Sequence, residues 1–143
     1  MILIFGGAYQ GKLDYAMEHY DIKERDIYTC EMDSMKLDFD KKVINHAERF
    51  VYACTKEDFN AKDILEEYIE KLQDKIIIFD DISQGIVSID PLERAWREAN
   101  GRCMTYLGLQ AEEVIRVFCG LGSKVKKWHL KFILSDMELQ KES

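Results

Sequence analysis

The sequence predicts an α/β domain with a mainly parallel sheet and helices on both faces. Three observations carry that expectation. Short runs that are apolar throughout, above all Ile76-Ile77-Ile78-Phe79, suit strands buried on both sides, which is the habit of parallel sheets. These runs alternate along the chain with segments of period 3.6, the pattern of strands joined by crossover helices. A glycine-rich stretch, Gly6-Gly7-Ala8-Tyr9-Gln10-Gly11-Lys12, links the first apolar run to the first helical segment.

Taken in order, Met1–Phe5 reads as a buried strand and Lys12–Tyr20 as a helix. Asp26–Cys30 reads as a second strand, Lys36–Arg49 as a helix of mixed charge, and Phe50–Cys54 as a strand. Phe59–Gln73 is an amphipathic helix by the spacing of Ile64, Leu65, Tyr68, Ile69 and Leu72, and Ile76–Phe79 is the next strand. Asp90-Pro91-Leu92-Glu93 opens a long helix, with aspartate as cap, proline at the first helical position and Glu93 placed for a capping box. Val114–Cys119 is a strand ending at Gly120 and Gly122, and the tail, residues 127–143, reads as strand or helix equally well.

The 143 residues make one domain, residues 1–143, with a single proline and no linker-like stretch. The net charge of −7 disfavours non-specific nucleic-acid binding, which rests on Lys and Arg neutralising phosphates. No apolar run is long enough for a bilayer, and the apolar start lacks a basic flank, so a cytoplasmic protein with no membrane contact is expected. Cys30, Cys54, Cys103 and Cys119 show no CxxC pairing and read as buried thiols rather than disulfides or zinc ligands. His19 and His129 have no motif around them and read as structural.

Gly6 to Lys12 satisfies G-x-x-x-x-G-K between a strand and a helix. That placement points to a three-layer fold of the P-loop NTPase type and to a nucleoside triphosphate, GTP or ATP, as ligand. Backbone N–H groups of Gly6, Gly7, Ala8, Tyr9, Gln10, Gly11, Lys12 and Leu13 would cradle phosphate, and Lys12 would reach the β- and γ-phosphates. The plainer reading is a glycine-rich turn. Position 13 ordinarily carries a hydroxyl that ligates Mg²⁺, and Leu13 has none, so Mg²⁺ binding and γ-phosphoryl transfer are expected to be weakened. Asp80, at the end of an apolar strand, is the candidate for the second metal-side group; it reads equally well as a solvated turn residue.

Met-Ile-Leu-Ile-Phe-Gly-Gly-Ala-x-x-Gly-Lys resembles the opening of the bifunctional adenosylcobinamide kinase/adenosylcobinamide-phosphate guanylyltransferase family. Gly85-Ile86-Val87, Arg94-x-x-Arg97-Glu98-x-x-Gly101-Arg102 and Ala111-Glu112-Glu113-Val114 with Gly120 and Lys124-Val125-Lys126 resemble later motifs of that family in order and spacing. Together these cover residues 1–20 and 75–126. Lys42-Val43-Ile44-Asn45-His46 parallels R-I-x-H-H, which implies that His46 is the histidine that the family guanylylates, on a helix face near the phosphate loop. The resemblance further implies a corrinoid (cobinamide) substrate and a homo-oligomer, a trimer whose subunits complete one another's sites. Departures are Gln10 and Leu13 for two serines, Asp80-Asp81-Ile82-Ser83 for N-E-V-G, Met104-Thr105 for N-Q, a missing central strand, and less basic residues after His46.

Three functions follow: a guanylyltransferase working through His46 and Lys12 with little kinase activity, a non-catalytic GTP- or corrinoid-binding relic, or a fold with no ligand. Leu13 weighs against full bifunctional activity. Lys12 and His46 weigh against the third.

Overall fold

The structure is a computed structural model that describes residues 1–83 and 88–126. β1 (Ile2–Gly6) stands near the middle of a six-stranded sheet, because its leucine and isoleucines leave no polar edge on either face. Its neighbours are β4 (Ile76–Asp80) and β5 (Glu113–Phe118), both parallel to it, with Ile2 opposite Ile76 and Glu113. β3 (Val43–Asn45) lies outside β4 and β2 (Ile27–Thr29) outside β3, again parallel. β6 (Leu121–Lys126) closes the other edge, antiparallel to β5, giving the order β2-β3-β4-β1-β5-β6.

Alternation along the central strands feeds two separate cores. Leu3, Ile77, Phe79 and Val114 pack with Phe50, Val51, Leu65, Leu72, Cys103 and Leu107 from α2 (Ala47–Lys56), α3 (Ala61–Glu67), α4 (Ile69–Leu72) and α5 (Pro91–Gln110). Ile4, Ile76, Ile78, Ile115 and Val117 pack on the opposite face against Tyr15 and Ala16 of α1 (Lys12–His19). Helices therefore cover both faces, as the fully apolar strands demand.

The start of α5 follows the sequence reading. Asp90 Oδ1 accepts the Leu92 N–H at 3.0 Å and Pro91 takes the first position. Glu93 does not close a capping box; it accepts from Arg97 one turn on, at 3.4 Å. The helix expected over Phe59–Gln73 is broken at Tyr68 into α3 and α4. Only a short turn separates α4 from β4, so no described strand intervenes there.

Two expectations fail in the middle of the chain. Lys36–Arg49 is not a helix: Val43-Ile44-Asn45 form the fully buried strand β3. Phe50–Cys54 is not a strand but part of α2, whose buried Ala47, Phe50, Val51 and Cys54 recur at intervals of three and four. β-Branched and aromatic residues in a row suggested extended chain, and burial of one helical stripe overrode that local preference.

β6 has no apolar periodicity and was not anticipated. It forms because Cys119 (φ 51°) and Gly120 (φ 76°) both take the left-handed conformation and turn the chain back on β5 in a two-residue hairpin. Cys119 is consequently exposed, unlike the buried Cys30, Cys54 and Cys103, whose thiol pKa values burial pushes up to about 12, 11 and 12. His19 stacks on Tyr15 and its Nδ1 lies 3.0 Å from the Tyr15 carbonyl, a structural role. Gly85-Ile86-Val87, His129 and the tail fall outside the described residues. No described helix is long and apolar enough to cross a membrane.

Candidate functional site

Because β3, β4 and β1 run parallel and side by side, their carboxyl ends deliver three groups to one place. Such ends are where open α/β sheets gather ligands. β3 ends in Asn45 and His46, β4 ends in Asp80, and β1 ends in Gly6 and the loop that follows. The register puts Gly6 opposite Asp80, and the Asp81 N–H donates to the Gly6 carbonyl at 2.8 Å. The result is a cleft of about 290 Å³ lined by residues 8–14 together with Asn45, His46, Arg49 and Asp80.

Gly11 caps α1 in the left-handed conformation (φ 86°), which aims the first turn of the helix back at the loop. Outside the helices and strands, the backbone N–H groups of Gly7, Ala8, Tyr9 and Gly11 donate to no described backbone carbonyl, and Ala8 and Tyr9 form a tight turn. Free N–H groups at the start of a helix favour an anion. Tyr9 also has positive φ (60°) and its ring is fully exposed. Gln10 braces the loop: its side-chain oxygen accepts the Cys119 N–H at 2.7 Å and its carbonyl the Gly120 N–H at 2.8 Å. The hairpin between β5 and β6 thereby holds the loop from outside.

Lys12 is buried. Its Nζ donates to the Gly7 carbonyl at 2.6 Å and pairs with Asp80 Oδ1 at 2.7 Å. Leu13 lines the cleft and packs against the core on the α1 face. The Mg²⁺ that a G-x-x-x-x-G-K loop ordinarily implies does not fit at position 13, where Leu13 supplies no oxygen, and the lysine of the loop is already paired with Asp80 Oδ1. Asp80 is a partner of Lys12, not a solvated turn residue.

His46 is on no helix face. It sits between β3 and α2 with left-handed backbone (φ 53°, ψ 48°), an uncommon conformation for a residue other than glycine. A histidine held there at a cost of about 1–3 kcal/mol suggests a role for the strained position. Its Nδ1 lies 3.0 Å from Glu48 Oε2 and 3.7 Å from Asp80 Oδ2.

Glu48 is the residue that sequence reading missed. It is 3 % exposed, and such burial of a carboxylate calls for partners. Its Oε1 accepts the Asp80 N–H at 2.8 Å, its Oε2 faces His46, and Arg49 Nε stands 3.9 Å from Oε2. The Trp96 indole donates to its backbone carbonyl at 2.8 Å, tying α2 to α5. Helical spacing gave no signal for it: Glu48 stands to one side of the stripe through Ala47, Phe50, Val51 and Cys54, and its burial follows from the strand ends that meet it.

An ionised Glu48 can only accept, so the His46–Glu48 contact is met by an N–H on Nδ1, and in the neutral tautomer that makes it the lone pair is on Nε2. His46, Asp80 and six of the eight loop positions, Ala8 to Leu13 with Lys12 among them, thus line one cleft, while Gly6 and Gly7 are not part of its lining. Glu48 touches both His46 and Asp80. No protein-family model and no curated protein matches the chain.

Proposed function

We propose that the chain is a nucleotide-binding domain of the P-loop NTPase type that holds a nucleoside triphosphate along residues 6–13, and that its chemistry is nucleotidyl transfer through His46. The observation that carries this reading is the meeting of His46, fixed by Glu48, with Lys12 and the loop in one cleft. Guanylyl transfer to cobinamide phosphate is the form of the reaction that the resemblance implies.

In that reaction the Nε2 lone pair attacks the α-phosphorus. An N–P bond forms, the P–O bond to the β-phosphate breaks, and pyrophosphate leaves. Glu48 holds the positive charge that develops on the ring, as the carboxylate does in other histidine-centred sites. Loop N–H groups and Lys12 stabilise the departing phosphates. γ-Phosphoryl transfer asks more of a bound metal, which Leu13 and the Lys12–Asp80 pair disfavour.

Incubation with GTP labelled at the α-phosphorus is expected to leave acid-labile, alkali-stable label on the parent protein and none on His46→Ala. Label retained by His46→Ala removes His46 as nucleophile. Bound GTP without label in the parent favours the second reading, a binding protein without catalysis, which the engagement of Lys12 by both Gly7 and Asp80 supports.

Nucleotide affinity is expected to change less than about tenfold, or 1.4 kcal/mol, between Mg²⁺ and EDTA in calorimetric titration. A larger loss in EDTA would mean that some group other than Leu13 brings Mg²⁺ to the phosphates.

A further inference from the structure

We propose that His46, Glu48 and Asp80 form a site for a divalent transition-metal ion of the zinc class, open on one side to the cleft. Each residue offers one ligand atom, and the three atoms lie within 4.8 Å of one another. His46 Nδ1 is 3.0 Å from Glu48 Oε2 and 3.7 Å from Asp80 Oδ2. Metal–ligand bonds of about 2.0–2.2 Å in tetrahedral geometry set donor atoms roughly 3.4 Å apart, so the two spacings from His46 lie on either side of the required one. The two carboxylate oxygens, within 4.8 Å of each other, need only small side-chain rotations to meet an ion.

The second atom of each carboxylate is already committed. Glu48 Oε1 accepts the Asp80 N–H, and Asp80 Oδ1 pairs with Lys12. Oε2 and Oδ2 are therefore the oxygens left to turn toward an ion, and their partners fix both carboxylates from behind. Outer hydrogen bonds of this kind orient the ligands of protein metal sites. His46 is held from the backbone, between β3 and α2, and the Glu48 side chain is 5 % exposed.

One nitrogen and two carboxylate oxygens favour Zn²⁺, Co²⁺, Mn²⁺ or Fe²⁺ over Mg²⁺, which binds oxygen and keeps its waters. Three protein ligands leave a fourth position for water or a phosphate oxygen from the cleft, as in sites that act on ligands rather than hold structure. Lys12 lies on the far oxygen of Asp80; its charge lowers the affinity but does not occupy the ligand position.

The site also bears on the proposed nucleotidyl transfer, and that consequence rests on it. An ion on Nδ1 requires the tautomer whose single ring proton is on Nε2, so that proton is exchanged from Nδ1 to Nε2 with no net release. The nucleophilic lone pair is lost. Zinc-class ions therefore switch His46 from nucleophile to ligand, and micromolar Zn²⁺ suppresses labelling by GTP while Mg²⁺ does not.

The test is titration of metal-stripped protein with Co²⁺, read by its visible absorption bands. Saturable, stoichiometric bands are expected in the parent, reversed by Zn²⁺ and untouched by a large excess of Mg²⁺. Affinity should fall more than about tenfold in both His46→Ala and Glu48→Gln. Cys119→Ser should bind as the parent does, without a sulfur charge-transfer band in either. Circular dichroism and melting of the metal-free variants establish that they fold. If Glu48→Gln does not fold, His46→Ala decides alone.

No saturable band in the parent overturns the proposal, as do bands that persist in the folded variants or vanish with Cys119. Uptake of label from GTP without Co²⁺ binding removes the metal site alone. Co²⁺ binding without label removes the transferase reading alone.

Discussion

Lys12→Met is expected to lower stability by about 3 kcal/mol and the affinity for a nucleoside triphosphate by about 100-fold. Both effects come from one buried ammonium. Its side chain is 7 % exposed and that of Asp80 17 %, so removing the cation strands a carboxylate largely shielded from water. Breaking a buried pair from one side leaves an uncompensated charge, which costs far more than the pair itself contributes. The same ammonium is the mobile cation nearest the loop, so the phosphates lose a charged hydrogen bond. Thermal melting should show a drop of about 10 °C. The double variant Lys12→Met/Asp80→Asn separates the two effects. Neutralising both partners should recover most of the lost stability while triphosphate affinity, followed by calorimetry, stays low. Recovery of affinity in the double variant would mean that Lys12 acts on the ligand only by neutralising Asp80.

Gly6→Ala should be nearly as damaging, for a steric reason. A Cβ at Gly6 would stand 2.4 Å from the carbonyl oxygen of Val117 and 3.6 Å from Lys12 Cδ. The first neighbour is backbone of the adjacent strand β5 and cannot rotate away, so β1 and β5 must part where the glycine-rich loop begins. Overpacking of this kind costs about 1–3 kcal/mol, and a backbone obstacle puts Gly6 at the upper end. Gly7→Ala is the control: its Cβ would meet only Gln10 Cγ at 3.7 Å, an ordinary contact. Its stability is expected within about 0.5 kcal/mol of the parent. Urea denaturation of the two variants should differ clearly in midpoint. Similar midpoints would mean that the sheet yields at β5 more readily than its packing implies.

The parts of this fold that could be read from the sequence are those in which local preference and tertiary burial agree. Ile76–Phe79 is apolar throughout and sits between two helical layers. Asp90-Pro91 caps and starts α5 by itself, and the glycines around Lys12 have a backbone reason for their positions. The segment from Lys36 to Cys54 was misread because the two disagree there. Val43-Ile44-Asn45 is too short to show a period, and Phe50-Val51-Tyr52 looks extended until three-dimensional packing selects the stripe through Ala47, Phe50, Val51 and Cys54.

That misreading hid Glu48, since a glutamate on a surface helix invites no question and one beneath His46 does. It also misplaced His46, which was expected on a helix face and stands at a strand end. The gathering of Lys12 and Asp80 was legible from their positions after β1 and β4. Their direct pairing was not, because it depends on which rotamer the lysine adopts when the loop closes over it.

The position of β1 also governs the order of assembly. The strand that leads into the glycine-rich loop finds no partner near itself in sequence: Ile2 pairs with Ile76 on one side and Glu113 on the other. β2 and β3, by contrast, join Ile27 to Val43 across a short connection. During synthesis, β1 is made well before both of its neighbours, β4 and then β5. Distant pairings of this sort make folding slow and leave the early strand open to wrong associations. The glycine-rich loop is thus made before the strands that flank it, so a chain truncated before β5 would hold every residue of the cleft and still lack the brace that Cys119 and Gly120 give to Gln10.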